Sequence, residues 1–238
     1  MELNNSRYTS NELQKILRYF AIDNDKFQLK ALTAGYINDT FLVTNVDEPL
    51  YILQRINHQV FKDIDVLMGN MSNALSSLIS DDYASIRLIP TQDGEYFTKG
   101  PEGHWRLMSF ITDSTTFDNT NENQIAFQAG RIIGEFHFLL QHQDPSNYKD
   151  SIPHFHDLSY REKEFNEALD NSKQSKLEIA KKAIEFARKT IGKLREIDTG
   201  QLPFRVCHND TKLNNILFSK SSGKALCLID LDTIMKGY

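Results

Sequence analysis

Near its C-terminal end the 238-residue sequence reads RVCHNDTKLNNILF, from Arg205 to Phe218. A histidine, an aspartate, a lysine and several asparagines are crowded between the short apolar segments FRVC and ILF, which read as strands. The turn SKSSGK follows, and then ALCLID, a buried strand that ends in the carboxylate of Asp230. Taken singly, Asp and Asn in such a place are most often turn formers. The joint pattern is more specific: H-x-D-x-K-x-x-N, a hairpin, and a terminal Ile-Asp. A chain with this ending must fold so that a polar loop and a strand-end carboxylate are presented together.

The remainder of the sequence supplies a frame. Leu13, Ile16, Leu17 and Phe20 recur at helical spacing behind a Thr9/Ser10 cap with Glu12 close by, predicting a helix over 9–20. FQLKAL, TFLVTN and PLYILQRI read as three strands, followed by a helix over 60–79. ASIRLIPTQDGEYFTK reads as strand, Gly-containing turn and strand, and HWRLMSFI as a further strand. After the polar loop TDSTTFDNTNEN the texture becomes helical. Asn123–Gln141 carries an apolar face, on which Gly130 and Gly134 predict close backbone packing. Ser159–Ile197 is a second helical region, broken near Asn171/Ser172. The pattern is α+β: a β-rich first part with one inserted helix, and a helical second part carrying a small hairpin.

The net charge is −5 and no basic run appears, which argues against nucleic acid as a partner. No apolar run approaches the roughly 20 residues that span a bilayer. MELNNSRYTS lacks the basic and apolar regions of a secretory signal. Cys207 and Cys227 sit in apolar segments, where reduced cysteine behaves as a small hydrophobe. These features predict a cytoplasmic protein.

The loop residues have a chemistry in common. Asp210 can accept a proton from an attacking hydroxyl. Lys212 can reach a transferred phosphoryl group. Asn215 offers an amide oxygen and Asp230 a carboxylate to Mg²⁺, which favours few protein ligands supplemented by substrate phosphates. Phosphoryl transfer asks for positioning and charge neutralisation, and these side chains divide those tasks. His208 is expected to hold the backbone of the loop.

The segments CHNDTKLNNILF…LCLIDLDTIM and AGYINDTFLV…YILQRIN resemble the aminoglycoside phosphotransferase/choline kinase family, which shares the protein-kinase-like fold. Within it they are most similar to bacterial N-acetylhexosamine 1-kinases, which phosphorylate the anomeric hydroxyl of the sugar. The resemblance implies two lobes, a β-rich N-lobe over 1–111 and a partial helical C-lobe over 112–238. It implies ATP and Mg²⁺ as cofactors, Asp210 as catalytic base, and Asn215 and Asp230 as metal ligands. Asp232 would be a supporting acid. Gly35 to Thr40 would cover the phosphates, with Asn38 and Thr40 contributing side chains. Arg55 would stand where protein kinases place a strand lysine, with an acidic partner on the 60–79 helix, Asp63 or Asp65. Met108 to Ile111 would be the hinge that meets adenine. Relatives continue through further helices, so an incomplete C-lobe and self-association through its bare surface are expected. Choline, ethanolamine, homoserine or an aminoglycoside are alternative acceptors, and a non-catalytic nucleotide-binding protein is the alternative of another class.

Overall fold

The computed structural model describes residues 7–23, 26–32, 37–100, 103–197 and 200–238. Helix α1 spans Ser10–Leu17. The Thr9 N–H donates to Glu12 Oε2 at 2.7 Å and the Glu12 N–H to Thr9 Oγ1 at 3.3 Å, so two orphan donors of the first turn are satisfied by one side-chain pair.

Strands β1 (Gln28–Leu32), β2 (Asp39–Asn45) and β3 (Glu48–Ile56) form an antiparallel meander. Helix α2 (Ile64–Leu75) follows. It is shorter than the 60–79 helix expected because Asp63 caps it, accepting from the Val66 N–H at 3.0 Å. At the other end the Ser76 hydroxyl bonds back to Asn73 O.

Strands β4 (Leu88–Ile89), β5 (Thr98–Gly100) and β6 (Gly103–Ser109) complete the sheet in the order β1-β2-β3-β6-β4, with β5 also on β6. The segment 84–99 therefore contains the strand, Gly-containing turn and strand that its sequence predicts, but the two strands do not pair with each other. Pro90 lacks an N–H, and Thr91–Glu95 close a tight turn with Gly94 at φ +86°, so both arms pair with β6 instead.

Period-two alternation sorts the side chains of this sheet. Phe41, Val43, Leu53, Trp105 and Leu107 pack with Tyr8, Leu13, Ile16, Leu17 and Phe20, the apolar stripe of α1 and its flanks. Tyr8 meets the Trp105 ring edge-on at 5.1 Å between centroids. On the other face Thr40, Gln54 and Arg106 lie in one cross-strand row.

The polar loop at 112–122 contains a strand that its composition hides, β7 (Ser114–Thr115). Helix α3 (Asn123–Leu139) buries Ile125, Ile132 and Phe136. Gly130 and Gly134 do not serve close packing, contrary to expectation: both are exposed, and no described atom lies within 4 Å of a Cβ placed there. They fall on the opposite side of the helix from the buried stripe.

Helices α4 (Leu158–Asp170) and α5 (Gln174–Arg195) form a separate compact unit, 152–204 with Tyr238. The break falls where expected. The Asn171 amide and Ser172 hydroxyl donate to Glu167 O and Ala168 O, using carbonyls that the ending helix leaves free. Neither helix has a fully buried residue, and Glu162 of α4 pairs with Arg195 of α5.

The other unit takes in 1–151 and 205–237. Its last strands are β8 (Arg205–Cys207), β9 (Ile216–Ser219), β10 (Ala225–Leu228) and β11 (Met235–Gly237). β9 and β10 make the expected hairpin and β7 joins β9, while β8 pairs with β11. The chain passes from one unit to the other at 151/152 and 204/205.

Neither cysteine is in a disulfide, and both are buried. Burial pushes the Cys227 thiol up to about 12 and raises that of Cys207. A thiol reagent at pH 8 is expected to label neither in the folded protein and both after urea denaturation. Labelling of Cys207 before Cys227 would report local opening of the β8–β11 pair.

Candidate active site

Two chain segments converge, 208–215 and 229–233. They are brought together by the two strand pairs that flank them, β8 with β11 and β9 with β10. The Ile229 N–H donates to Asn215 O at 2.8 Å, which sets Asn215 beside the turn carrying Asp230.

His208 is wholly buried. Its Nε2 lies 2.8 Å from Ile229 O and its Nδ1 3.3 Å from the Asp210 N–H. A carbonyl can only accept and an N–H can only donate, so the ring is the neutral tautomer with its proton on Nε2. Burial holds its pKa below the ordinary range. The imidazole fixes the loop backbone, as the sequence predicts.

Asp210 Oδ2 accepts from Lys212 Nζ at 2.7 Å and from Asn215 Nδ2 at 2.9 Å. Asn215 Nδ2 also reaches Asp210 O at 2.9 Å. The Asn215 amide nitrogen is thus committed to Asp210, which directs its oxygen the other way. Asn215 is buried, Asp210 is half-buried and Lys212 is exposed.

Asp230 occupies the left-handed region, at φ 59° and ψ 56°. Asn209 does the same at φ 65°. Such conformations cost about 1–3 kcal/mol each and persist where surrounding contacts enforce them. Those contacts are present. Asn209 Nδ2 donates to Cys207 O and Thr233 O, the Thr233 hydroxyl to His208 O at 2.7 Å, and the Ser151 hydroxyl to Asp232 O at 2.7 Å.

Asp230 is exposed to solvent as a residue, with protein atoms gathered around its carboxyl group. Crowding by those atoms, and then the charge of Asp232, push its pKa up to about 6, against the opposing pull of Arg106 and Lys212.

Asp232 is buried and bridges the sheet to the turn. Its Oδ1 accepts from Arg106 Nη1 at 2.5 Å and its Oδ2 from Asn38 Nδ2 at 2.6 Å. Arg106 Nε and Nη2 both donate to Gln54 Oε1, at 3.0 and 2.7 Å, and Gln54 Nε2 continues to Thr40 Oγ1 at 3.0 Å.

The structure therefore brings Asp210, Lys212, Asn215 and Asp230 together, and ties Asn38 and Thr40 to them through Asp232, Arg106 and Gln54. Gly35 lies outside the described residues. Arg55 is not on this face. It is in register with Asp39 and Trp105, and pairs with Asp39 at 3.2 Å on the α1 side of the sheet. The expected partners on α2 are otherwise engaged, Asp63 in its cap and Asp65 with Lys99 at 3.2 Å. Met108 is held between β3 and β4. Beyond it, Leu50 O accepts the Phe110 N–H and Ile111 O accepts the Ser114 hydroxyl at 2.6 Å. Two surface concavities, about 510 and 400 Å³, lie elsewhere, one lined by Asp65, Gln92 and Lys99, the other by Arg55, His58 and His104.

Sequence reasoning missed Arg106 and Gln54. The signal was available: an arginine within the bulky strand HWRLMSFI must find a buried partner.

The family model described as "Phosphotransferase enzyme family" matches residues 28–238. The chain belongs to that family. Its fold is also that of solved kinase structures. A spectinomycin phosphotransferase in complex with ADP and spectinomycin superposes with a TM-score of 0.63 at 13% identity, covering 97% of this chain and 71% of that one. An amicoumacin kinase in complex with AMP-PNP, Ca²⁺ and its ligand gives 0.64 at 16% identity, covering 98% and 66%. A choline kinase from Cryptosporidium parvum gives 0.63 at 16%, covering 96% and 66%. The chain thus spans about two thirds of the length of these structures, and the likeness establishes the α+β, kinase-like fold that its sequence predicts. Among the described residues no helix is long and apolar enough to cross a membrane.

The Asp230 shift has a consequence for stability. A carboxyl whose folded pKa is raised binds its proton more tightly when folded, so its favourable contribution is complete below the unfolded value near 4 and is lost as pH rises through about 6. Asp230→Asn keeps a residue that tolerates the left-handed backbone and removes the charge. Its melting temperature is expected to exceed that of the parent at pH 8, with the difference shrinking towards pH 4.

Proposed function

We propose that the protein is an ATP- and Mg²⁺-dependent phosphotransferase that moves the γ-phosphoryl group to a hydroxyl of a small molecule. The observation that carries this reading is the convergence of Asp210, Asn215 and Asp230 on one side of a fixed polar loop. Asp210 takes the proton of the attacking hydroxyl. Lys212, exposed and already paired with Asp210, swings between that carboxylate and the transferred group.

The donor set suits a hard divalent ion. The Asn215 oxygen and the Asp230 carboxylate are two oxygen ligands, and a cation would offset the burial, and after it the Asp232 charge, that raise Asp230. Among the described residues no group of three or more His, Cys, Asp or Glu side chains could hold a metal, so the other ligands come from phosphate and water. The ion, when bound, neutralises charge on the phosphates. Asn38 and Thr40 steady the segment that covers them, residues 1–111 act as the nucleotide lobe, and Met108–Ile111 meet the adenine edge. Arg55, on the far side of the sheet, is left out of phosphate binding.

The acceptor is an N-acetylhexosamine, phosphorylated at the anomeric hydroxyl. This finer reading rests on the resemblance of the loop and strand motifs. Similarity to a choline kinase and to a spectinomycin phosphotransferase supports a cationic acceptor as the second reading.

Phosphorus NMR of the products formed from N-acetylglucosamine, N-acetylgalactosamine, choline and spectinomycin is the deciding measurement. A sugar 1-phosphate is expected, and a product from choline or spectinomycin alone would replace the sugar reading with the second one. Asp210→Asn is expected to lower the rate by about 10²–10⁴-fold, and a rate left intact would remove Asp210 as the base.

A further inference from the structure

We infer that Arg106 is a positioning residue for nucleotide binding, clamping the turn of the metal-binding hairpin to the start of β2 through Asp232. The inference rests on the phosphotransferase reading of the site and extends it to a buried ion pair, Arg106 and Asp232.

The Arg106 side chain is 1% exposed and that of Asp232 2%. An ion pair so deeply buried is seldom the most stable filling for its space, since apolar side chains of similar volume often do as well or better. What it supplies is direction. The guanidinium is a planar fork, and its two edges are used for different partners. Nη1 goes to Asp232, while Nε and Nη2 go together to Gln54 Oε1. Around it α2 presents no carboxylate, only the sulfurs of Met71 at 3.4 Å and Met68 at 3.9 Å. The countercharge comes instead from the turn two residues after Asp230.

Both branches of the network end on the same stretch of chain. Asp232 spends its second oxygen on Asn38 Nδ2, and Asn38 Oδ1 accepts the Asn57 N–H at 3.0 Å. Gln54 passes its own amide to Thr40. One buried cation thereby fixes two polar side chains at the entry to β2 and the turn that presents Asp230. Lysine cannot replace it, because a point charge satisfies Asp232 or Gln54 but lacks the fork that serves both.

The test uses the full chain and Mg²⁺-AMP-PNP, so no acceptor is needed. Arg106→Met, Arg106→Lys, Asn38→Ala and the Arg106→Met/Asn38→Ala double variant are titrated calorimetrically. Urea midpoints and Asn57 amide exchange are measured without nucleotide. Arg106→Met is expected to weaken nucleotide binding at least tenfold and to speed Asn57 exchange, with Arg106→Lys intermediate. Adding Asn38→Ala to Arg106→Met is expected to cost less than twofold more, because both act through one clamp. Should Arg106→Met not fold, Arg106→Lys and Asn38→Ala carry the same two readouts. A lowered urea midpoint with nucleotide affinity and Asn57 protection unchanged would assign Arg106 to stability alone and overturn the inference. Absence of Mg²⁺-nucleotide binding by the parent protein would overturn the phosphotransferase reading, and the inference with it. Binding by the parent that the variants match would overturn the inference and leave that reading standing.

Discussion

Taking the guanidinium of Arg106 and the carboxylate of Asp232 out of water costs several kcal/mol for each ion, and only close mutual contact with full hydrogen bonding recovers it. The structure meets that demand with Asp232 at 2.5 Å and Gln54 on the other edge. Meeting it fixes much else. The sheet must carry Gln54 and Arg106 in register on one face, which places Arg55 and Trp105 on the other. The turn after β10 must reach back to β6, which sets the direction in which Asp230 leaves the hairpin.

The loop itself follows the same logic on a smaller scale. Several of its polar side chains are bonded within the loop or to the neighbouring turn. His208 is held between Ile229 and Asp210, Asn209 between Cys207 and Thr233, and Asn215 against Asp210. Two residues in the left-handed region, Asn209 and Asp230, stand one in each converging segment. Backbone strain of this kind is tolerated where many bonds over-determine it, and here those bonds join the two segments to each other. The result is a loop and a turn whose backbones are fixed to one another by protein hydrogen bonds.

The phosphotransferase family supplies the fold and the loop, and the fold by itself leaves the acceptor open. Solved structures of similar fold include a spectinomycin phosphotransferase and a choline kinase. In this chain a cation on β6, not the Arg55 expected on β3, reaches the turn that carries Asp230, and its countercharge lies on that turn rather than on α2.

Much of this was legible in the sequence. The capping box at Thr9 and Glu12, the meander of β1 to β3, the break at Asn171 and the hairpin ending at Asp230 each follow from local rules of spacing and turn chemistry. The quartet Asp210, Lys212, Asn215 and Asp230 was readable because its members lie close along the chain. The exceptions are long-range. The two strands within 84–100 pair with β6 rather than with each other, β7 formed only because β9 offered it an edge, and Gly130 and Gly134 turned away from the packed face of α3. Arg55 and Arg106 are two cations on adjacent strands, and composition cannot say which faces the site. The pairing register of β3 and β6 decides it, since a shift of one residue reverses every side chain, and that register is set by contacts between residues about fifty positions apart.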